Sequence, residues 1–190
     1  MREVGDGILC ILWERWSMPP IEEDLVNVIW IKVSEGPPKD TLTALQAFRD
    51  EQPALFNWLT APTEATNERV IEVILYLGVT LSQVFAWRRL PQGPLAAPMV
   101  DDVMLTRWSE KRTGTVASFL AGKQAQATPL PEALEMLVSR FDLPQLPMLS
   151  HATDALLVAH EDEDLTRSEV EHCFVRLLVL VDCLDRVVKS

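Results

Sequence analysis

The longest apolar pattern in the chain is at residues 64–89, which read EATNERVIEVILYLGVTLSQVFAWRR. Apolar residues cover most of the circumference of a helix drawn through this segment. A helix that is apolar nearly all round is buried nearly all round. The following stretch, Leu90 to Pro94, contains two prolines and a glycine and ends the pattern. We therefore expect a central helix over residues 64–89, with the other segments packed around it.

Prolines divide the rest of the chain into segments of helical length. Within these segments apolar residues recur at the three- and four-residue steps of an amphipathic helix. Helices are predicted over residues 40–51, after Pro53, over residues 98–121, 131–141 and 148–160, and from Thr166 to Val188. The predicted fold class is all-α, an irregular bundle of about seven to nine helices in a single domain over residues 1–190.

Residues 21–34 carry two conflicting patterns. Pro20 and the acidic residues Glu22 to Asp24 suit the first turn of a helix. The β-branched residues between Val26 and Val33 are instead typical of a strand. The acidic start and the length favour a helix, and a short N-terminal strand is the alternative.

The charge of the chain argues against two classes of partner. It has 28 acidic and 17 basic residues, a net charge of −11. Such a surface repels phosphate backbones and anionic lipid head groups, so neither nucleic acid nor membrane is expected as a partner. The candidate basic patch consists of Arg88, Arg89, Arg107, Lys111 and Arg112. Its first two residues lie at an expected helix end, where cations complement the helix dipole.

Cysteine usage and hydropathy indicate a cytoplasmic protein. Cys10, Cys173 and Cys183 are too few, and odd in number, for a disulfide framework. The apolar run from Ile8 to Trp13 is too short for a signal peptide. No uninterrupted run reaches the roughly 20 apolar residues of a membrane helix.

One constellation could hold a metal. Its candidate ligands are His151, Asp154, His160, Glu169 and His172. The last two have the Glu-x-x-His spacing that di-iron bundles use, which puts a carboxylate and an imidazole on one helix face. The second such pair is missing, and Glu169 also matches a capping box with Thr166. The sequence therefore favours no metal and no cofactor, and the five residues remain the alternative.

Glu72 and Tyr76 form a second candidate site. They lie four residues apart in the most apolar segment and therefore on one helix face. Buried together, they would form an acid–hydroxyl pair of the kind found in active sites. Glutamate is rarely fully buried, so we favour an exposed edge formed by Glu64, Glu68 and Glu72.

The last predicted helix carries a heptad-spaced apolar seam. The seam consists of Val170, Phe174, Leu177, Val181, Leu184 and Val188. Such a seam could pair with its twin in a homodimer. A second stripe formed by Cys173, Leu180 and Val187 needs neighbours of its own, so packing within the chain is favoured. The six tryptophans are expected in the core, because each lies in an apolar helical pattern.

These patterns leave three classes of function open. Nucleotide-binding loops, a nucleophile elbow and a zinc-protease motif are absent from the sequence. We favour a non-enzymatic helical module for protein interaction or regulation, with a protein partner or self-association. The alternatives are an acidic, immunity-type inhibitor of a basic partner, and an enzyme or carrier with a metal or small-molecule site between helices.

Overall fold

The computed structural model describes residues 21–89, 99–122, 126–140, 145–162 and 164–187. Within these ranges the chain forms eight α-helices and no strand. The helices are α1 (Glu23–Ser34), α2 (Pro38–Glu51), α3 (Pro53–Thr60), α4 (Glu68–Arg89), α5 (Asp102–Leu120), α6 (Leu130–Arg140), α7 (Leu146–Glu161) and α8 (Arg167–Val187). Buried apolar side chains from all eight belong to one hydrophobic cluster. The predicted all-α bundle is confirmed.

Prolines start several of these helices. Pro38 and Pro53 occupy the first turns of α2 and α3, where a helix leaves its N–H groups without internal partners. Gln52 stands between the two helices, and its N–H donates to the Phe48 carbonyl at 2.8 Å. Its buried side chain accepts a 3.0 Å hydrogen bond from the backbone of Val100. The sharp α2–α3 corner is therefore tied to the segment that leads into α5.

Residues 21–34, whose sequence carries both a helix and a strand pattern, contain the helix α1. Glu23 and Asp24 lie in its first turn, where their charge complements the helix dipole. Val26 and Ile29 are buried one turn apart on the face that packs against α4 and α7. Tertiary burial thus outweighs the strand preference of the β-branched residues.

The predicted central helix is α4, which packs against α1, α2, α3, α7 and α8. It begins at Glu68 rather than residue 64, because the Asn67 side chain accepts a 2.9 Å hydrogen bond from the Val70 N–H and caps the first turn. Gly78 lies where α4 comes close to both α3 and α8. A Cβ atom there would lie 3.0 Å from Leu59 Cδ1 of α3 and 3.6 Å from Leu180 Cδ2 of α8.

The last helix is buried more completely than its heptad seam predicts. Fourteen of the 21 residues of α8 are buried, including every residue from Arg176 to Asp185. It packs against α4, α5 and α7, which cover it from several sides. Five of the six seam residues, Val170 to Leu184, are at most 3 % exposed. The sixth, Val188, lies outside the described residues. The seam is therefore filled by packing within the chain.

Among the described residues, one segment meets a length-and-hydropathy criterion for a membrane span. It is Glu68–Trp87, with a mean hydropathy of 1.7 and half of its apolar window buried inside the bundle. The sequence led us to expect no membrane span, because no uninterrupted apolar run is long enough. Glu68–Trp87 meets the criterion although charged residues interrupt it. The core helix of a soluble protein meets the same criterion, so this segment alone does not assign a membrane.

Candidate functional site

Two of the three candidate metal ligands on α7 have partners of their own in the structure. The ring of His151 lies against Trp30 of α1, with centroids 5.5 Å apart. His160 is linked through Nδ1 to the Leu165 carbonyl at 2.8 Å. Asp154 is exposed on α7. His151 and His160 thus bind different partners, and Asp154 faces solvent.

Glu169 and His172, the Glu-x-x-His pair, also have partners, and His172 accepts a hydrogen bond from the Nε of Arg176. Glu169 Oε2 accepts a 2.7 Å hydrogen bond from the Thr166 N–H, and Thr166 Oγ1 lies 3.4 Å from the Glu169 N–H. The predicted capping box is therefore present, and it lowers the pKa of Glu169, with the Thr166 N–H as the largest cause. The Asn67 amide adds a further hydrogen bond. Among the described residues no three histidine, cysteine or acidic side chains are grouped to hold a metal ion.

Glu72 and Tyr76 do not form a buried pair. The Glu72 side chain is 58 % exposed, and its carboxylate forms an ion pair with Arg69 at 3.1 Å. Tyr76 is half-buried, and burial raises its pKa. Glu64 and Glu68 are exposed as well, so the structure has the exposed glutamate edge that the sequence favoured.

Arg69 joins this edge to the acidic loop between α7 and α8. One of its terminal nitrogens pairs with Glu72 and the other with Asp164. Both hydrogen bonds raise the pKa of Arg69, and the bond to Asp164 has the larger effect. The α7–α8 loop therefore lies beside the first turns of α4. We call the exposed carboxylates of this region the acidic edge. It consists of Glu68, Glu72, Glu161, Asp162 and Asp164.

A buried arginine holds α3 against α8. Arg176, 6 % exposed, donates to the carbonyls of Trp58 and Ala61 at the end of α3. Its guanidinium carbon lies 5.2 Å from the centroid of the Trp58 ring. Burial lowers the pKa of Arg176. The carbonyls that α3 leaves unbonded at its C-terminus are thus satisfied by a side chain from 115 or more residues away.

Two buried aspartates tie the other end of α8 to its neighbours. Asp182 is paired with the Nε of Arg112 from α5. Asp185 accepts a 2.8 Å hydrogen bond from the Gln145 amide, whose oxygen accepts from the Ile21 N–H at 2.9 Å. These contacts fix the start of α1 and the start of α7 against α8. None of these contacts can be predicted from the sequence, because nothing local marks Asp182 or Asp185 as buried.

The described tryptophans lie at the border of the core, which corrects the expectation that they fill it. Trp30, Trp58 and Trp108 are half-buried, and Trp87 is 40 % exposed. Three of the four rings have a cation within about 5 Å of their centroid. Arg176 lies over Trp58, Lys32 over Trp87 and Arg186 over Trp108. Trp13 and Trp16 lie outside the described residues.

The two described cysteines are core residues. Burial, as the largest cause, raises the pKa of Cys173 and of Cys183 to about 12. Their thiols are protonated at neutral pH and act as small apolar groups. Cys10 lies outside the described residues.

An open cleft of about 390 Å³ lies beside the first turn of α8. It is lined by Leu120, Gln126, Arg167, Ser168 and Glu171. Arg167 forms a 2.9 Å ion pair with Glu171 and donates to the Thr128 carbonyl at 3.0 Å. The two charged side chains of the cleft thus bind each other.

Comparisons with known proteins add no family. No protein-family model, curated protein or solved structure matches this chain.

Proposed function

We propose that this protein is a non-enzymatic helical interaction module that binds a basic protein partner through its acidic edge. The observation that supports this is the pairing of Arg69 with both Glu72 and Asp164. It brings the carboxylates of the α7–α8 loop beside those of α4, although the two segments are 95 residues apart in the chain. One continuous surface therefore carries charge from two separate segments.

The charge of the edge suits long-range attraction of a cationic surface. Five carboxylates and the single guanidinium of Arg69 leave a clear negative excess. Exposed charges of one sign steer a complementary partner and raise its association rate, and added salt weakens that steering. A wet interface leaves part of the hydration of these carboxylates in place, so their partial burial there costs less than burial in a core.

The edge is held in place before any partner binds. Asn67 caps α4 and also binds Glu169, so the starts of α4 and α8 are joined. The capping box of Thr166 fixes the end of the acidic loop. A surface ordered in advance loses less conformational entropy on binding.

Charge reversal at two positions tests the proposal. Glu161→Lys with Asp162→Lys changes exposed side chains at the C-terminal end of α7, where cations complement the helix dipole, so the variant should fold. The control is Glu132→Lys with Glu135→Lys on α6, which gives the same change in net charge. Each protein is immobilised and exposed to native lysate, and a captured partner is then purified for affinity measurements.

We expect capture of a basic protein by the wild type and the control but not by the edge variant. With the purified partner, raising salt from about 0.05 M to about 0.3 M should weaken binding at least about tenfold. Capture that is equal for the edge variant and the control, or an affinity that is independent of salt, would contradict the proposal.

A further inference from the structure

Three cations converge on the indole of Trp108, near the C-terminal end of α8. The guanidinium carbon of Arg186 lies 3.6 Å from the ring centroid, the Lys111 Nζ 4.6 Å and the Arg112 guanidinium carbon 5.9 Å. Arg186 comes 17 positions after Glu169, about 25 Å along α8, and Glu169 binds Asn67, the residue before Glu68 of the acidic edge. This group is therefore distinct from the acidic edge.

The two arginines of the group differ in their partners. Arg112 is paired with the buried carboxylate of Asp182. The Nε of Arg186 is buried without a hydrogen-bond acceptor among the described residues. Its two terminal nitrogens make no hydrogen bond within the described part of the chain, and they are not enclosed. A half-buried cation without an acceptor is costly, since buried donors are almost always satisfied.

The charges around Trp108 are arranged in layers. Asp182 and Asp185, the acidic groups that act on Arg186 from its own helix, are each only 3 % exposed. Lys111 is exposed on α5, and Arg107 is exposed one turn before it. A ligand approaching from solvent therefore meets these cations before it meets Asp182 or Asp185. The group presents positive charge on a chain whose net charge is −11.

We propose that Arg186, Lys111 and Trp108 form a binding site for a phosphoryl oxyanion. Arg186 and Lys111 lie at most about 8 Å apart, since both are close to the same ring centroid. An anion at the edge of the ring is therefore within Coulombic reach of both cations. The terminal nitrogens of Arg186 provide the forked donors that phosphate oxygens accept, and Lys111 provides a mobile point charge. Trp108 holds the guanidinium in place through its ring face, so the site is ordered in advance.

Nuclear magnetic resonance titration with pyrophosphate tests this site. The indole N–H of Trp108 and the Nε–H of Arg186 are followed while sodium chloride keeps the ionic strength constant. Inorganic phosphate and a phosphoserine peptide serve as further probes. The variants are Arg186→Gln and Lys111→Gln, and Lys39→Gln on the exposed surface of α2 is the matched control. Lys111 is exposed, so its variant keeps the test valid even if Arg186→Gln is unstable.

We expect both resonances to shift saturably with pyrophosphate, with binding at least about tenfold weaker in Lys111→Gln and unchanged in Lys39→Gln. Tighter binding of the phosphopeptide than of phosphate supports the site and indicates a phosphorylated partner. Equal binding supports it and indicates a small phosphate. A response of the same size to sodium chloride alone, or unchanged affinity in Lys111→Gln, overturns the proposal.

Discussion

The Nε of Arg176 donates a 3.0 Å hydrogen bond to the Nε2 of His172, one turn earlier in α8. The ring nitrogen must therefore be unprotonated, and the proton of the neutral imidazole is on Nδ1. Thr63 Oγ1 lies 3.4 Å from the same nitrogen. Burial, and then the charge of Arg176, lower the pKa of His172. This histidine thus acts as an acceptor in the joint between α3 and α8, which gives the fold a dependence on pH.

The free energy of unfolding should fall as the pH drops below about 6.5, the ordinary pKa of histidine. Below that pH the unfolded chain binds a proton at residue 172 that the folded chain does not yet bind, so protonation favours unfolding. The loss continues down to the lowered pKa of the folded state. Urea unfolding of the wild type and of His172→Gln between about pH 7.5 and 5.5 measures it.

The glutamine variant keeps an acceptor for Arg176 but does not titrate. Any pH dependence from the other two histidines or from carboxylates is common to both proteins. The wild type should therefore lose more stability than His172→Gln over this interval. Parallel curves for the two proteins would show that His172 is not held neutral by the fold.

Replacing Arg176 should destabilise the protein far more than replacing a comparable surface arginine. Arg176→Ala removes the donors to the Trp58 and Ala61 carbonyls, and we expect a loss of about 3 kcal/mol. The control is Arg140→Ala, since Arg140 lies 4.6 Å from the Phe119 ring but is exposed. Its loss should stay below about 1 kcal/mol. Chemical denaturation measures both, and similar losses would show that the carbonyl contacts contribute little.

The buried seam of α8 leads to a prediction about oligomeric state. Leu177 is fully buried inside the chain, so Leu177→Ala should cost about 3 kcal/mol of unfolding free energy. Val158→Ala, at an exposed position on α7, should cost less than about 0.5 kcal/mol. Light scattering on the folded proteins should give the same mass for both variants and the wild type. A mass that falls only in Leu177→Ala would place this residue in a dimer interface.

Hydrophobic spacing predicted the helices well because it is a local property. The eight described helices lie where the three- and four-residue steps and the prolines place them, and the Thr166–Glu169 capping box is local too. The predicted start of α4 is four residues too early, because Asn67 caps the helix and makes Glu68 its first residue. An asparagine three residues before the first buried valine is a pattern that could have found it.

The polar contacts could not be predicted in the same way. The carbonyls that Arg176 binds, and the side chains that bind Asp182 and Asp185, come from segments 40 or more residues away. Periodicity marks a charged residue as an exposed position, and only tertiary structure shows that a distant carbonyl or side chain satisfies it. For the same reason, the arrangement of cations around Trp108 follows from the packing of α5 on α8 and not from any motif.

Two glycines in helices should respond oppositely to substitution. Gly114 in α5 has no atom within 4 Å of an added Cβ, so Gly114→Ala should raise the free energy of unfolding by about 1 kcal/mol through helix propensity alone.

At Gly78 the same gain is opposed by the 3.0 Å approach to Leu59 Cδ1, a core side chain that is 1 % exposed. Gly78→Ala should therefore gain less than Gly114→Ala, and Gly78→Val should lose at least about 1 kcal/mol because its extra methyl groups must displace Leu59 or Leu180. Thermal and urea unfolding of the three variants compare these effects directly. A gain at Gly78 as large as that at Gly114 would mean that α3 moves aside freely, and the close contact of α3, α4 and α8 would then not constrain the bundle.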